Sequence, residues 1–184
     1  MLRSTFAILL LALSASASAE DFDYTFLSAG YGIVNFDAIN ADGDGFIIGG
    51  SYAINSDYHV FFDYQSAGLD FGVDASTFDA GFGYHMGLSD QVDFVAGLSY
   101  EYVEVGNADD NGLGLSLGLR FAASEMLELN AGIKLIDLND SGNDTGFEVA
   151  GLYKINEQFS VGVKGDWTDD ISTYSLTGRM YFGN

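Results

Sequence analysis

Apolar and small or polar residues alternate with a period of two along most of this chain. The sharpest example is Gly112–Ala122, GLGLSLGLRFA: Leu113, Leu115, Leu117, Leu119 and Phe121 fall on one parity, and Gly114, Ser116, Gly118 and Arg120 on the other. A strand sends successive side chains to opposite faces, so this run predicts a ribbon with one greasy face and one small or polar face. At helical spacing the leucines would spread around the axis, and the glycines would weaken the helix.

Nine further segments carry the same alternation. They are Tyr24–Asn35, Gly45–Ile54, Tyr58–Gln65, Ser76–Leu88, Val92–Tyr102, Leu127–Leu138, Thr145–Ile155, Phe159–Thr168 and Ser172–Phe182, for ten predicted strands in all. The first is the least regular. Leu27, Ala29, Tyr31 and Ile33 share a face, while Tyr24, Phe26 and Val34 compete from the other, a conflict that a bulge would reconcile. Breaks after strands two, four, six and eight are short; those after the odd strands read as longer and rich in Asp, Asn and Gly. Alternating segments of about ten residues, with short turns on one rim and longer loops on the other, are the pattern of a membrane-spanning barrel. The expected fold is therefore all-β: a closed antiparallel up-and-down transmembrane β-barrel of about ten strands, with eight as the alternative. Closure follows from the solvent, because an open sheet edge in hydrocarbon leaves backbone groups unpaired.

Charge placement tests this reading. Arg120, Lys134, Lys154, Lys164 and Arg179 all lie on the parity opposite to their strand's apolar set, as do Asp63, Asp79, Asp93, Glu101, Glu128, Glu148 and Asp166. An Arg or Lys facing lipid near the midplane costs about 2–4 kcal/mol, so these groups are expected to point into the lumen as a charge network. The acids concentrate on strands three to five and the bases on strands six to ten, which predicts complementary halves and a largely filled, salt-bridged interior.

Composition adds an address. Arg3, the apolar run Phe6–Leu13 and the small residues Ala17-Ser18-Ala19 have the form of a cleaved leader, too short to span a bilayer as a helix. The expected organisation is a signal peptide at 1–19 and an outer-membrane barrel at 20–184. Loss of the leader leaves five basic against 27 acidic residues, a net charge of −22, which is unfit for nucleic acid. There is no Cys, hence no disulfide, thiolate nucleophile or thiolate metal site. Aromatic residues gather at strand ends: Tyr52, Tyr58, Tyr84, Phe121, Tyr153, Phe159 and Phe182 near the short-turn rim, and Phe46, Tyr64, Phe78, Tyr100, Phe147, Trp167 and Tyr174 toward the other. They form two interfacial girdles.

On these features the chain resembles the small bacterial outer-membrane β-barrel proteins, porin-like or OmpA/OmpX-like in the broad sense. Leu176, Gly178, Met180 and Phe182 match the family's closing strand with its terminal aromatic, although Gly183-Asn184 run past it. The resemblance implies an outer-membrane location in a Gram-negative bacterium, after leader cleavage, as a monomer.

Four roles fit such a barrel. The first expectation is a structural or surface-interaction role, with acidic extracellular loops drawing divalent cations, including those that bridge lipopolysaccharide phosphates. The alternative is a narrow cation-preferring channel. Calcium in the loops is a further candidate: Asn40, Asp42 and Asp44 set oxygens at alternate positions, and Asn107 and Asp109 echo them, but neither stretch has the acidic twelfth ligand of a calcium loop. Catalysis is not expected. Only His59 and His85 are available, both predicted to point inward near the short-turn rim, and no His-x-Ser arrangement accompanies them.

Overall fold

The computed structural model describes residues 22–36, 41–169 and 171–182. The expected leader, residues 1–19, lies outside them, as does Asn40. Ten antiparallel strands close into one barrel. They are β1 (Phe26–Phe36), β2 (Ala41–Ala53), β3 (Tyr58–Leu69), β4 (Val73–Ser89), β5 (Val92–Val105), β6 (Ala108–Ser124), β7 (Leu127–Leu138), β8 (Gly142–Asn156), β9 (Phe159–Trp167) and β10 (Ile171–Tyr181). β1 closes the barrel against β10, in register from Phe26↔Tyr181 to Phe36↔Ile171. No strand among them is an edge, as a hydrocarbon environment requires.

The outer face is the apolar set read from the sequence. Leu27, Phe82, Leu98, Leu113, Val163 and Leu176 are exposed on it. Aromatic pairs band it at both ends: Tyr58 lies 5.4 Å from Tyr84 at one rim, and Phe147 stacks on Trp167 at 4.8 Å at the other. Trp167 Nε1 also donates to the Tyr174 hydroxyl at 3.1 Å.

The rims differ in turn chemistry. At the terminal rim, where β1 begins and β10 ends, each hairpin is capped by a Ser or Asn side chain that accepts a backbone N–H two residues on. Asn55 accepts from Asp57 at 2.9 Å, Ser89 from Gln91 at 3.3 Å, Ser124 from Met126 at 3.3 Å and Asn156 from Gln158 at 2.9 Å. These are Asx and ST turns. Three of the four sit beside a register shift, at Gly87/Ser89, Ala122/Ser124 and Lys154/Asn156. At the opposite, hairpin rim, Gly106 (φ 64) and Gly142 (φ 85) make the tight reversal instead, in a region other residues avoid.

Two expectations need correction. The described connections at the hairpin rim are as short as those at the terminal rim: Asp70–Gly72 is a single 3-10 turn, and β6 begins at Ala108, directly after Gly106-Asn107. The Asp-, Asn- and Gly-rich stretches read as loops are largely strand ends beyond the aromatic girdle, with Asp42, Asp44, Asp74, Glu104, Asp109 and Asp137 turned outward and Asp110 and Asp144 inward. Nor does β1 carry a bulge. Its register runs unbroken against both neighbours, and Phe26 and Val34 point inward. An apolar residue on the inner parity was packing the lumen there, not signalling a slip.

Candidate functional site: a charged lumen with two unlike mouths

The middle of the lumen is built on two acid–base–acid triads. Lys134 Nζ on β7 reaches across β6 to Asp79 Oδ2 at 2.9 Å and Glu101 Oε2 at 2.8 Å. It can do so because the inner parity of β6 is small: a Cβ on Gly114 would fall 2.2 Å from Glu101 Oε1. The Ser99 hydroxyl donates to the same carboxylate. On the far wall Lys164 Nζ lies 2.8 Å from Glu148 Oε2 and 3.3 Å from Asp166 Oδ2. Asp63 sits directly opposite Asp79 across the β3–β4 ladder. Along the cavity as a whole, Asp63, Asp79, Glu101, Asp144, Glu148 and Asp166 face Arg120, Lys134, Lys164 and Arg179, an excess of two acidic groups.

The terminal mouth is organised the other way, base–acid–base. Arg120 holds Glu128 with two bonds of 3.0 Å, Nε to Oε1 and Nη2 to Oε2, and Arg179 Nη1 approaches Glu128 Oε1 at 4.0 Å. A bidentate pair of this kind fixes geometry as well as charge. The chain ahead of β1 folds into this mouth. The Arg120 guanidinium lies 4.4 Å from the Tyr24 ring and 4.8 Å from Phe22, and its Nη1 donates to the Asp23 carbonyl at 3.3 Å. Tyr24, only 6 % exposed, stacks on His85 at 3.6 Å between ring centroids, and its hydroxyl donates to Asp93 Oδ2 at 2.9 Å. His59 and His85 meet at Nδ1···Nδ1 3.0 Å. Gly83 leaves the space for His59, because a Cβ there would be 2.1 Å from its Nε2.

The hairpin mouth is apolar. Val34, Ala67, Leu69 and Ala75 form a buried cluster, with Phe36, Val73, Val105 and Ile171 packed against it. A cavity of about 540 Å³ runs between the mouths, lined from Tyr24 and His59 at one end to Val34 and Leu138 at the other. Parity predicts a largely filled, salt-bridged interior; the structure instead leaves this cavity open and packs one end with apolar side chains. A ten-stranded barrel leaves a core that these side chains do not close.

Of the expected lumen residues, the structure brings Asp79, Glu101, Lys134, Glu148, Lys164 and Asp166 together in the middle. It gathers Asp93, Arg120, Glu128 and Arg179 at the terminal mouth. Lys154 lies near the same rim on β8, with its backbone N–H on the Met126 carbonyl at 2.8 Å. Lys134 joins the complementary halves, through Asp79 and Glu101. The other triads join neighbouring strands or close the barrel's terminal end. The stretch read as half a calcium loop is strand from Ala41 on. Asn35 Nδ2 donates to Asp42 Oδ1 at 2.8 Å, and the Tyr31 hydroxyl donates to Asp44. Asn107 occupies a turn, and Asp109 pairs with Glu104 on the next strand. Extended backbone sends alternate side chains outward instead of curling oxygens round an ion. Among the described residues no three His, Asp or Glu side chains are grouped as a metal needs.

The sequence reading missed the stopper-like segment Phe22–Thr25 and the apolar collar. The one signal for either was the set of inner-parity residues Tyr24, Phe26 and Val34 that disturbed the first strand.

A closed, lipid-faced ten-stranded barrel around a charged cavity defines an outer-membrane β-barrel protein. The profile of the outer membrane protein beta-barrel domain family matches residues 5–149, and the chain belongs to that family. Among solved structures it is similar to the COG4313 outer membrane channel from Pseudomonas putida F1, with TM-score 0.55, 8% identity, and coverage of 92% of this chain and 100% of that one. The NanC porin gives TM-score 0.51 and 8% identity over 85% of this chain and 100% of its own. At such identities the likeness is one of fold. The search of curated proteins finds no match.

Proposed function

We propose that the protein is a narrow, cation-preferring channel whose described state is closed at both mouths. The observation that carries this reading is the cavity of about 540 Å³ with six carboxylates against four basic groups along its wall. A water-filled passage lined by excess negative charge concentrates cations and repels anions. The apolar collar supports a closed state, since a hydrophobic constriction gates by excluding water. Reversal potentials in a planar bilayer under a potassium chloride gradient test it. The folded protein is expected to show discrete steps reversing toward the potassium potential, and Asp79→Asn combined with Glu101→Gln should bring that potential closer to zero. Anion selectivity would remove the proposal.

One further observation favours a second role at the surface. Beyond the aromatic girdle, Asp42, Asp74, Asp109 and Asp137 are on the outward parity of their strands. A belt of carboxylates at headgroup level suits divalent cations shared with lipopolysaccharide phosphates. Thermal stabilisation by magnesium in lipopolysaccharide-containing bilayers, absent after Asp→Asn exchange along the belt, is the expected result.

A further inference from the structure

We propose that Phe22–Thr25 is a proton-released stopper: neutral His59 and His85 seat it in the terminal mouth, and a second proton on the pair drives it out. The proposal rests on the channel reading for its consequence, but not for its geometry.

The segment is held by few and specific contacts. Tyr24 lies between the His85 ring on one side and the Arg120 guanidinium on the other, with its hydroxyl on Asp93. Thr25 is tied to β2 by the Ala53 N–H, which donates to its hydroxyl at 3.2 Å. Residues 22–25 lie outside the strands; the Thr25 carbonyl accepts the Phe182 N–H at 3.0 Å and anchors the segment's base beside the seam, while Phe22–Tyr24 can leave the mouth with the closure of β1 on β10 intact.

The pair beneath the stopper is the sensitive part. At 3.0 Å between Nδ1 atoms, one imidazole donates and the other accepts. A first added proton leaves one imidazolium, which still donates to its neighbour once that ring shifts its own proton to Nε2; a second makes both Nδ1 atoms donors, abolishes the bond and sets two cations face to face, in the only side-chain type that ordinarily titrates between pH 5 and 8. The charged and titratable groups facing the pair are Arg120 from β6, Asp93 from β5, Asp57 from the preceding turn and Tyr24 itself. Arg120 adds to the repulsion. Asp93 opposes it, but its carboxylate already accepts the Tyr24 hydroxyl. His85 cannot move away from His59 without losing its stack on Tyr24, so the charge is relieved at the stopper.

The chain contains no Cys, so a single Asp23→Cys variant carries one spin label at a known place on the stopper. Its mobility is read in bilayers at pH 7.5 and pH 4, beside the potassium conductance of the unlabelled protein. The expected result is an immobile label at pH 7.5 and a mobile one at pH 4, with at least a tenfold rise in open probability. In His59→Gln/His85→Gln, which keeps polar side chains that cannot charge, the label should stay immobile at both values. Heat-modifiable migration on a gel shows whether each variant has folded. A label of unchanged mobility across this range overturns the proposal, and so does one released equally in the Gln variant. Release of the label with a silent lumen supports the stopper and rejects the channel.

Discussion

The two mouths of the lumen are built from opposite chemistry. At the terminal rim the closure is polar and specific: a four-residue segment held by one stacked tyrosine, one guanidinium and a bidentate Arg–Glu pair. At the hairpin rim it is apolar and collective, Val34, Ala67, Leu69 and Ala75 packing side by side with no hydrogen bond to satisfy. A polar closure fails when one partner is removed or changes charge, because a buried group left unpaired is costly. An apolar one weakens gradually, by contact area. The first can act as a switch; the second sets a standing barrier to water.

The largest expected effect is at the polar mouth. Arg120→Ala deprives Glu128, whose side chain is 4 % exposed, of its bidentate partner and leaves Asn130 and the 4.0 Å approach of Arg179. Breaking a buried pair in this way costs about 3–5 kcal/mol, measurable as a fall in the urea midpoint in detergent. The apolar mouth should yield less: Leu69→Ala is expected to cost ~2 kcal/mol by the same measurement. Leu113→Ala, on the lipid face of β6, should cost well under that. If Leu69→Ala matched Arg120→Ala, the two closures would not differ in kind.

Gly83→Ala sharpens the account of the histidine pair. The new methyl would meet a stiff ring 2.1 Å away, so His59 or the β3–β4 ladder must shift. Overpacking of this sort costs roughly 1–3 kcal/mol and should separate the two imidazole NMR environments. The smallest effect lies outside the membrane. The Asp110 carboxylate accepts the Ser141 N–H at 2.7 Å and the Asp140 N–H at 3.1 Å; the Ser141 hydroxyl foremost, then these backbone bonds, hold its carboxyl below the usual range. Ordering of the β7–β8 turn is therefore present at neutral pH and lost as pH falls through that lowered value. Amide exchange at Asp140 and Ser141 should rise in strong acid, and in Asp110→Asn at any pH.

Much of this was legible from alternation alone. β7 runs over Leu127–Leu138, as its leucines and isoleucines indicate, and the strand number and closure follow from parity and solvent. β4 and β6 are longer than expected because Asp74, Asp109 and their neighbours look like turn formers. Outside the bilayer a strand can continue with carboxylates on its outer face. The two mouths were hidden for a related reason. Parity says which residues face inward, but not at what height they meet, and the stopper and collar depend on register around all ten strands. The histidines could be set near one rim by counting. Their 3.0 Å contact, and Tyr24 across it, could not.

The most direct test of the central claim is the single-channel current of the wild type beside Tyr24→Ala, at neutral pH under a potassium chloride gradient. The account predicts rare, brief, cation-selective openings in the wild type and long ones of the same selectivity once Tyr24 no longer anchors the segment. Equal silence from both folded proteins, or openings selective for chloride, would contradict it.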